Sequence, residues 1–227
     1  MKSESRYLTW AWLVAAVLFF ALGTQSAMAA IGTVVGSKHD FSTTGPSATY
    51  KSATQTQVCV YCHAPHSTPG NAPLWNHAST TATYTLYNTA FSSTLNATTA
   101  QPGGVSKLCL SCHDGTVAVD SFGGATGSVS VTGSPLLGID LSNDHPIGFV
   151  YDAALVTADP GLRAVTTAVT IGTGNTGTID SKMLFATKME CASCHDVHRS
   201  TSGTAVESKL LKITAVQSAL CTTCHIK

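Results

Sequence analysis

Charge is scarce in this chain. Lys and Arg number 12 and Asp and Glu 12, together 11% of 227 residues, and the formal net charge at neutral pH is zero. Such a balance offers no basic face to a phosphate backbone, so a nucleic-acid partner is not expected. Aromatic residues make up only 7%, while Ser, Thr, Gly and Ala fill stretches such as "SSTLNATTA" and "TIGTGNTGT". Side chains this small build loops and cannot make a large core by themselves. Something other than aliphatic side chains is therefore expected to fill the interior. Also lacking are a nucleotide-binding loop and a nucleophile elbow. Beyond the first thirty residues there is no apolar run long enough to span a membrane.

The first thirty residues read as a secretory signal peptide. Lys2 and Arg6 precede an apolar run from Leu8 to Leu22, and "AMA" at Ala27 to Ala29 places small residues where cleavage needs them. Removal of residues 1–29 is expected to leave a mature product of about 198 residues that starts near Ala30. It carries ten Lys and Arg against eleven Asp and Glu. The expected location is outside the inner membrane: secreted, extracellular or at the cell surface, with the periplasm as the alternative.

No cysteine is left over from one pattern. The eight cysteines form four pairs, each followed by histidine: "CVYCH" (Cys59, Cys62, His63), "CLSCH" (Cys109, Cys112, His113), "CASCH" (Cys191, Cys194, His195) and "CTTCH" (Cys221, Cys224, His225). A disulfide framework suits an exported chain but gives no reason for a histidine after every pair. Zinc needs reduced thiolates gathered in fours, which suits the cytosol better. Covalent haem explains every position: two thiols add to two vinyl groups, and the adjacent histidine ligates the iron. Four motifs imply four c-type haems, with roughly fifty residues for each, so porphyrins would supply the missing apolar interior.

Five histidines stand outside the motifs: His39, His66, His77, His145 and His198. His66 trails His63 by three residues in "CVYCHAPH", too few to carry the chain round a porphyrin edge to the other face of the same iron, and Pro65 breaks the local helix. It should serve a neighbouring haem, and His198 recurs at the same offset in "CASCHDVH". The chain reads twice as loose His, C-x-x-C-H-x-x-H, C-x-x-C-H, an internal repeat of a two-haem module. Each module carries two loose histidines for two empty distal positions. His77, in "APLWNHAST", falls outside the repeat and reads as a packing or hydrogen-bonding residue beside Trp75. Met183 and Met189 are the only methionines after residue 29, and a Met ligand would raise a haem potential relative to bis-histidine ligation. Iron saturated by two histidines has no position for a substrate, so electron transfer is expected rather than catalysis.

These residues resemble the multihaem c-type cytochromes with paired C-x-x-C-H motifs, and more narrowly the tetrahaem extracellular cytochromes of the OmcE type, which polymerise into haem-threaded filaments in metal-reducing bacteria. The resemblance rests on "GSKHDFS", "CVYCHAPHSTPGNAPLWN", "CLSCHDGTVAVDSFGG", "NDHPIGF" and "CASCHDVH", in that order. It implies His39, His66, His145 and His198 as distal ligands, with supply of one of them by the adjacent subunit as a feature of the filament subgroup. It also implies a homopolymer joined through haem contacts, redox partner proteins and an external electron acceptor. A monomeric periplasmic shuttle is the alternative; a mechanical filament with haems as staples and a multihaem reductase are further readings.

The expected fold is a haem-packed multihaem cytochrome c with little regular secondary structure. Short helices should carry the motifs, as in "SKLCLSCHDG" and "SALCTTCH", because a helical turn brings both thiols and the histidine to one side. "GSVSVTG" and "AVTTAVTIG" read as short strands, and "QPGG", "SFGGATG" and "GTGNTG" as turns. The modules are expected over residues 30–130 and 131–227, sharing one continuous haem chain across a soft boundary near 125–140.

Overall fold

Every motif of the expected haem sites begins on a helical turn. In the computed structural model, which describes residues 34–66, 74–172, 174–198 and 209–226, Cys59–Tyr61 form one 3-10 turn. The second motif ends helix α1, Gly104–His113. The expected signal peptide lies outside the described residues. Two further helices, α2 at Ala153–Ala158 and α3 at Ile179–Met183, carry no motif. The third motif is helix α4, Cys191–Cys194, and the fourth ends α5, Ala219–Cys224. None of the described helices is long and apolar enough to cross a membrane.

Sheet structure is sparse. Strand β1 (Thr85–Leu86) pairs in parallel with β2 (Asp140–Leu141). Strand β3 (Ala168–Ile171) pairs antiparallel with β4 (Asn175–Thr178), Ala168 opposite Thr178. The strand expected in "AVTTAVTIG" is thus present, and part of the expected turn "GTGNTG" is its returning partner. The strand expected in "GSVSVTG" is not formed. Val129 accepts one backbone hydrogen bond from Val119, and without a ladder alternation alone does not make a strand.

An apolar interior exists, contrary to the expectation from small residues. Phe149, Tyr151, Leu155, Val169, Ile171, Ile179, Met183, Leu184, Met189 and Cys224 form one buried cluster, and Tyr84, Leu110 and Leu141 a smaller one. The first cluster draws on β3, α2 and α3, whose alternating and helical patterns turn Val169, Ile171, Leu155 and Ile179 inward. Met183 and Met189 are packed in this cluster, 1% and 5% exposed, as core side chains. Residues 32–227 form one compact unit.

Candidate haem sites

The four motifs share one local geometry. Each opens with a helical turn, and the histidine amide donates back to the first cysteine's carbonyl: His63 to Cys59 at 2.8 Å, His195 to Cys191 at 3.1 Å and His225 to Cys221 at 2.9 Å. That bond draws the imidazole to the side of its own thiols. His195 and His225 then leave the helix in extended conformation. A passing segment clamps each in an isolated β-bridge: His63 with Trp75, His195 with Leu211, His225 with Leu162. His113 stays on α1 and is held by the loop after it, its carbonyl accepting from Leu137 at 2.7 Å.

The ring nitrogens are oriented for ligation. His113 Nδ1 lies 2.7 Å from the carbonyl of Pro135, His195 Nδ1 2.7 Å from that of Lys209, and His145 Nδ1 2.9 Å from that of Pro146. A carbonyl only accepts, so Nδ1 carries the hydrogen and Nε2 presents its lone pair, as a metal ligand requires.

Three imidazole pairs face each other across the chain. Ring centroids are 5.9 Å apart for His39 and His113, 6.1 Å for His63 and His198, and 6.4 Å for His145 and His225. With metal–imidazole bonds of about 2.0 Å, and centroids about 1.1 Å behind the bonding nitrogens, two rings on opposite sides of one metal ion stand about 6 Å apart. The three pairs therefore fit two-sided ligation. His195 lies near enough to His39 to act on it electrostatically. His66, three residues after His63, is exposed.

His198 therefore faces the first motif rather than a motif in its own half.

The loops that carry the loose histidines are built tightly. Asp40, fully buried, accepts from Gly36 N at 2.8 Å, Ser42 N at 3.0 Å and the Ser42 hydroxyl at 2.6 Å. A Cβ on Gly45 would collide with Asp40's carbonyl oxygen, so only glycine closes this turn beside His39. Tyr61, inside the first motif, donates to Phe41's carbonyl at 2.7 Å and braces the same loop. Burial, followed by the neighbouring His113 and His195, pushes His39 down to about 4, so the ring is neutral at pH 7. In the loop of His145, Gly148 takes a φ of +74°, and a Cβ there would meet Ala100's carbonyl oxygen at 2.8 Å.

His77 is a packing residue. It is 3% exposed, its Nδ1 lies 2.8 Å from Ala78's carbonyl and its Nε2 3.0 Å from Ala118's. It touches Trp75 and lies 3.5 Å from Cys112 Sγ, wedged between the first two motifs.

All eight cysteines are free thiols, standing in for the thioether sulfurs of a loaded protein, and their neighbours trace an order. Burial, then Cys62, then Asp114 push the Cys112 thiol up to about 12. Cys109 and Cys191 share a hydrogen bond that raises the former and lowers the latter. Burial and then Cys194 push Cys224 up to about 11. Thioethers do not titrate, but the adjacency remains: first motif beside second, second beside third, third beside fourth.

The surroundings fit haem. Large apolar side chains lie exposed next to motif histidines: Leu74 at the His63 bridge, Leu136, Leu137 and Ile139 after His113, Ile226 after His225. These are surfaces that a flat apolar group would cover. Two buried nitrogens without partners, His39 Nδ1 and Trp75 Nε1, sit at the same places. Sequence reasoning found the ligand types but missed Asp114. That buried carboxylate, next to His113, accepts from the hydroxyls of Thr80, Tyr84 and Thr116 at 2.7, 2.6 and 2.7 Å. Only the "CHDG" string hinted at it.

The family model of the doubled CXXCH motif matches residues 184–227, the third and fourth motifs. No curated protein matches the chain. The match supports a multihaem c-type cytochrome carrying covalently bound haem iron and serving electron transfer.

Proposed function

We propose that this chain is an exported tetrahaem electron conduit and a subunit of a conductive extracellular filament, with His63, His113, His195 and His225 as proximal ligands. His39 would complete the second site, His198 the first and His145 the fourth. When bound, each haem supplies a one-electron ferric–ferrous couple. The polypeptide sets ring orientation through backbone carbonyls, would hold the iron between paired imidazoles at the first, second and fourth sites, and keeps neighbouring sites in contact. Paired imidazoles leave no position for a substrate, which favours conduction over catalysis.

The observation that carries conduction is the order of the motifs, first beside second, second beside third and third beside fourth. Three motif histidines meet an imidazole of the same chain at 5.9–6.4 Å. What favours a filament over a monomeric shuttle is the resemblance of the motif strings to the extracellular tetrahaem filament subunits.

Electron microscopy of haem-staining material sheared from expressing cells tests this reading. Filaments with a regular repeat are expected. Single particles confined to the periplasm, with all four haems low-spin, would replace the filament by the shuttle. Carbon monoxide bound to one reduced haem in the assembled protein would favour a reductase.

A further inference from the structure

The second and third motifs meet at a junction that the ligand geometry does not explain. Helix α1 is capped by Gly103, which has no side chain to accept from the first-turn amides. Ser106 sits in that first turn, and its amide donates to Glu190 Oε2 at 3.2 Å, across 84 residues of sequence. Its hydroxyl donates to the same oxygen in a very short contact. That hydroxyl also accepts from Cys191 N at 2.9 Å, the first amide of α4. Each motif helix thus satisfies an orphan amide of the other, as a capping box does within one helix. Ser106 is 0% exposed and Glu190 4%. Directly beside this contact, the Cys109 and Cys191 thiols touch.

We infer that Ser106 and Glu190 are positioning residues that fix the spacing of the second and third haem attachment sites, and that the Glu190 carboxylate is a buried negative charge shared by those two sites. The inference rests on the electron-conduit reading and locates within it the passage between the halves of the chain. Both contacts to the carboxylate come from donors, the arrangement an ionised group takes. Its field acts through a low-dielectric interior, and nearby charge is one of the determinants of a haem potential. A negative charge there favours ferric iron at both neighbours.

The test uses haem-loaded protein carrying Glu190→Gln and, separately, Ser106→Ala and Ser106→Thr. Glu190→Gln keeps an acceptor oxygen for Ser106 but removes the charge. The expected result is four haems, an upward shift in two of the four midpoint potentials and no change in the other two. In Ser106→Ala the magnetic interaction between one haem pair should weaken in the paramagnetic resonance spectrum, and Ser106→Thr should restore it. No shift in Glu190→Gln, or an equal shift of all four haems, overturns the inference even if Ser106→Ala fails to load haem. Unchanged coupling in a fully loaded Ser106→Ala also overturns it. Failure of the conduit reading would show instead as carbon monoxide bound by the wild-type protein, which the two midpoints do not depend on.

Discussion

The imidazole of His198 stands 6.1 Å from that of His63, with ring planes 27° apart. The histidine trailing the third motif thus lies against the histidine of the first, so the two halves of the chain meet at an imidazole pair.

Replacing His198 by Ala should convert one haem of four from low-spin to high-spin and let it bind carbon monoxide after reduction. His145→Ala should do the same to a different haem, and the double variant should show two. A His198→Ala protein whose haems all stay low-spin would rule out this pairing.

In the haem-free chain, whose imidazoles hold no iron, His39 gives a defined acid sensitivity. Its folded pKa, lowered by burial from 6.5 to about 4, means that between those values the unfolded chain binds a proton that the folded chain refuses. Stability is therefore full above about pH 6.5 and falls as pH drops toward 4, by up to about 3 kcal/mol. An acid titration of the unfolding midpoint should show this loss, and His39→Phe should flatten that component.

Gly45→Ala should deprive one haem of the His39 imidazole without touching a ligand, because the added Cβ displaces Asp40's carbonyl and with it the turn beside His39. The expected outcome is one high-spin haem, with the other three unchanged. Four low-spin haems in a protein of wild-type stability would show that the turn tolerates a side chain.

Asp114 holds its proton poorly. Burial acts to raise its pKa, but hydrogen bonds from Tyr84, Thr116 and Thr80 outweigh that and leave it lowered. Asp114→Ala strands three hydroxyls at once and should cost about 3 kcal/mol or more, whereas Tyr84→Phe removes one donor for about 1 kcal/mol. Thermal unfolding should rank the two in that order, with the alanine variant lower by roughly 6–12 °C.

Met183 and Ile179, 1% and 0% exposed, test the polypeptide core. Either one changed to Ala should lose about 2–5 kcal/mol, with the haem spectrum of the folded fraction unaltered. A Met183→Ala spectrum with a new high-spin haem would instead make Met183 a ligand.

Covalent attachment is local chemistry, so the sequence alone determined it. Two thiols and an imidazole lie within five residues, and one helical turn brings them together at Cys59, Cys109, Cys191 and Cys221 whatever the rest of the chain does. The same holds for the supply of loose histidines and for the β3 pattern, whose partner follows within a few residues. Ligand pairing is different in kind. His198 meets His63, and His39 meets His113, through loops whose closure costs only slowly more entropy with length, so spacing carries almost no information about which partner is reached. The same physics hid the Ser106–Glu190 contact and left "GSVSVTG" without a ladder. A cap or a strand exists only when another segment supplies the opposite half of its hydrogen bonds, and that segment is chosen by tertiary packing.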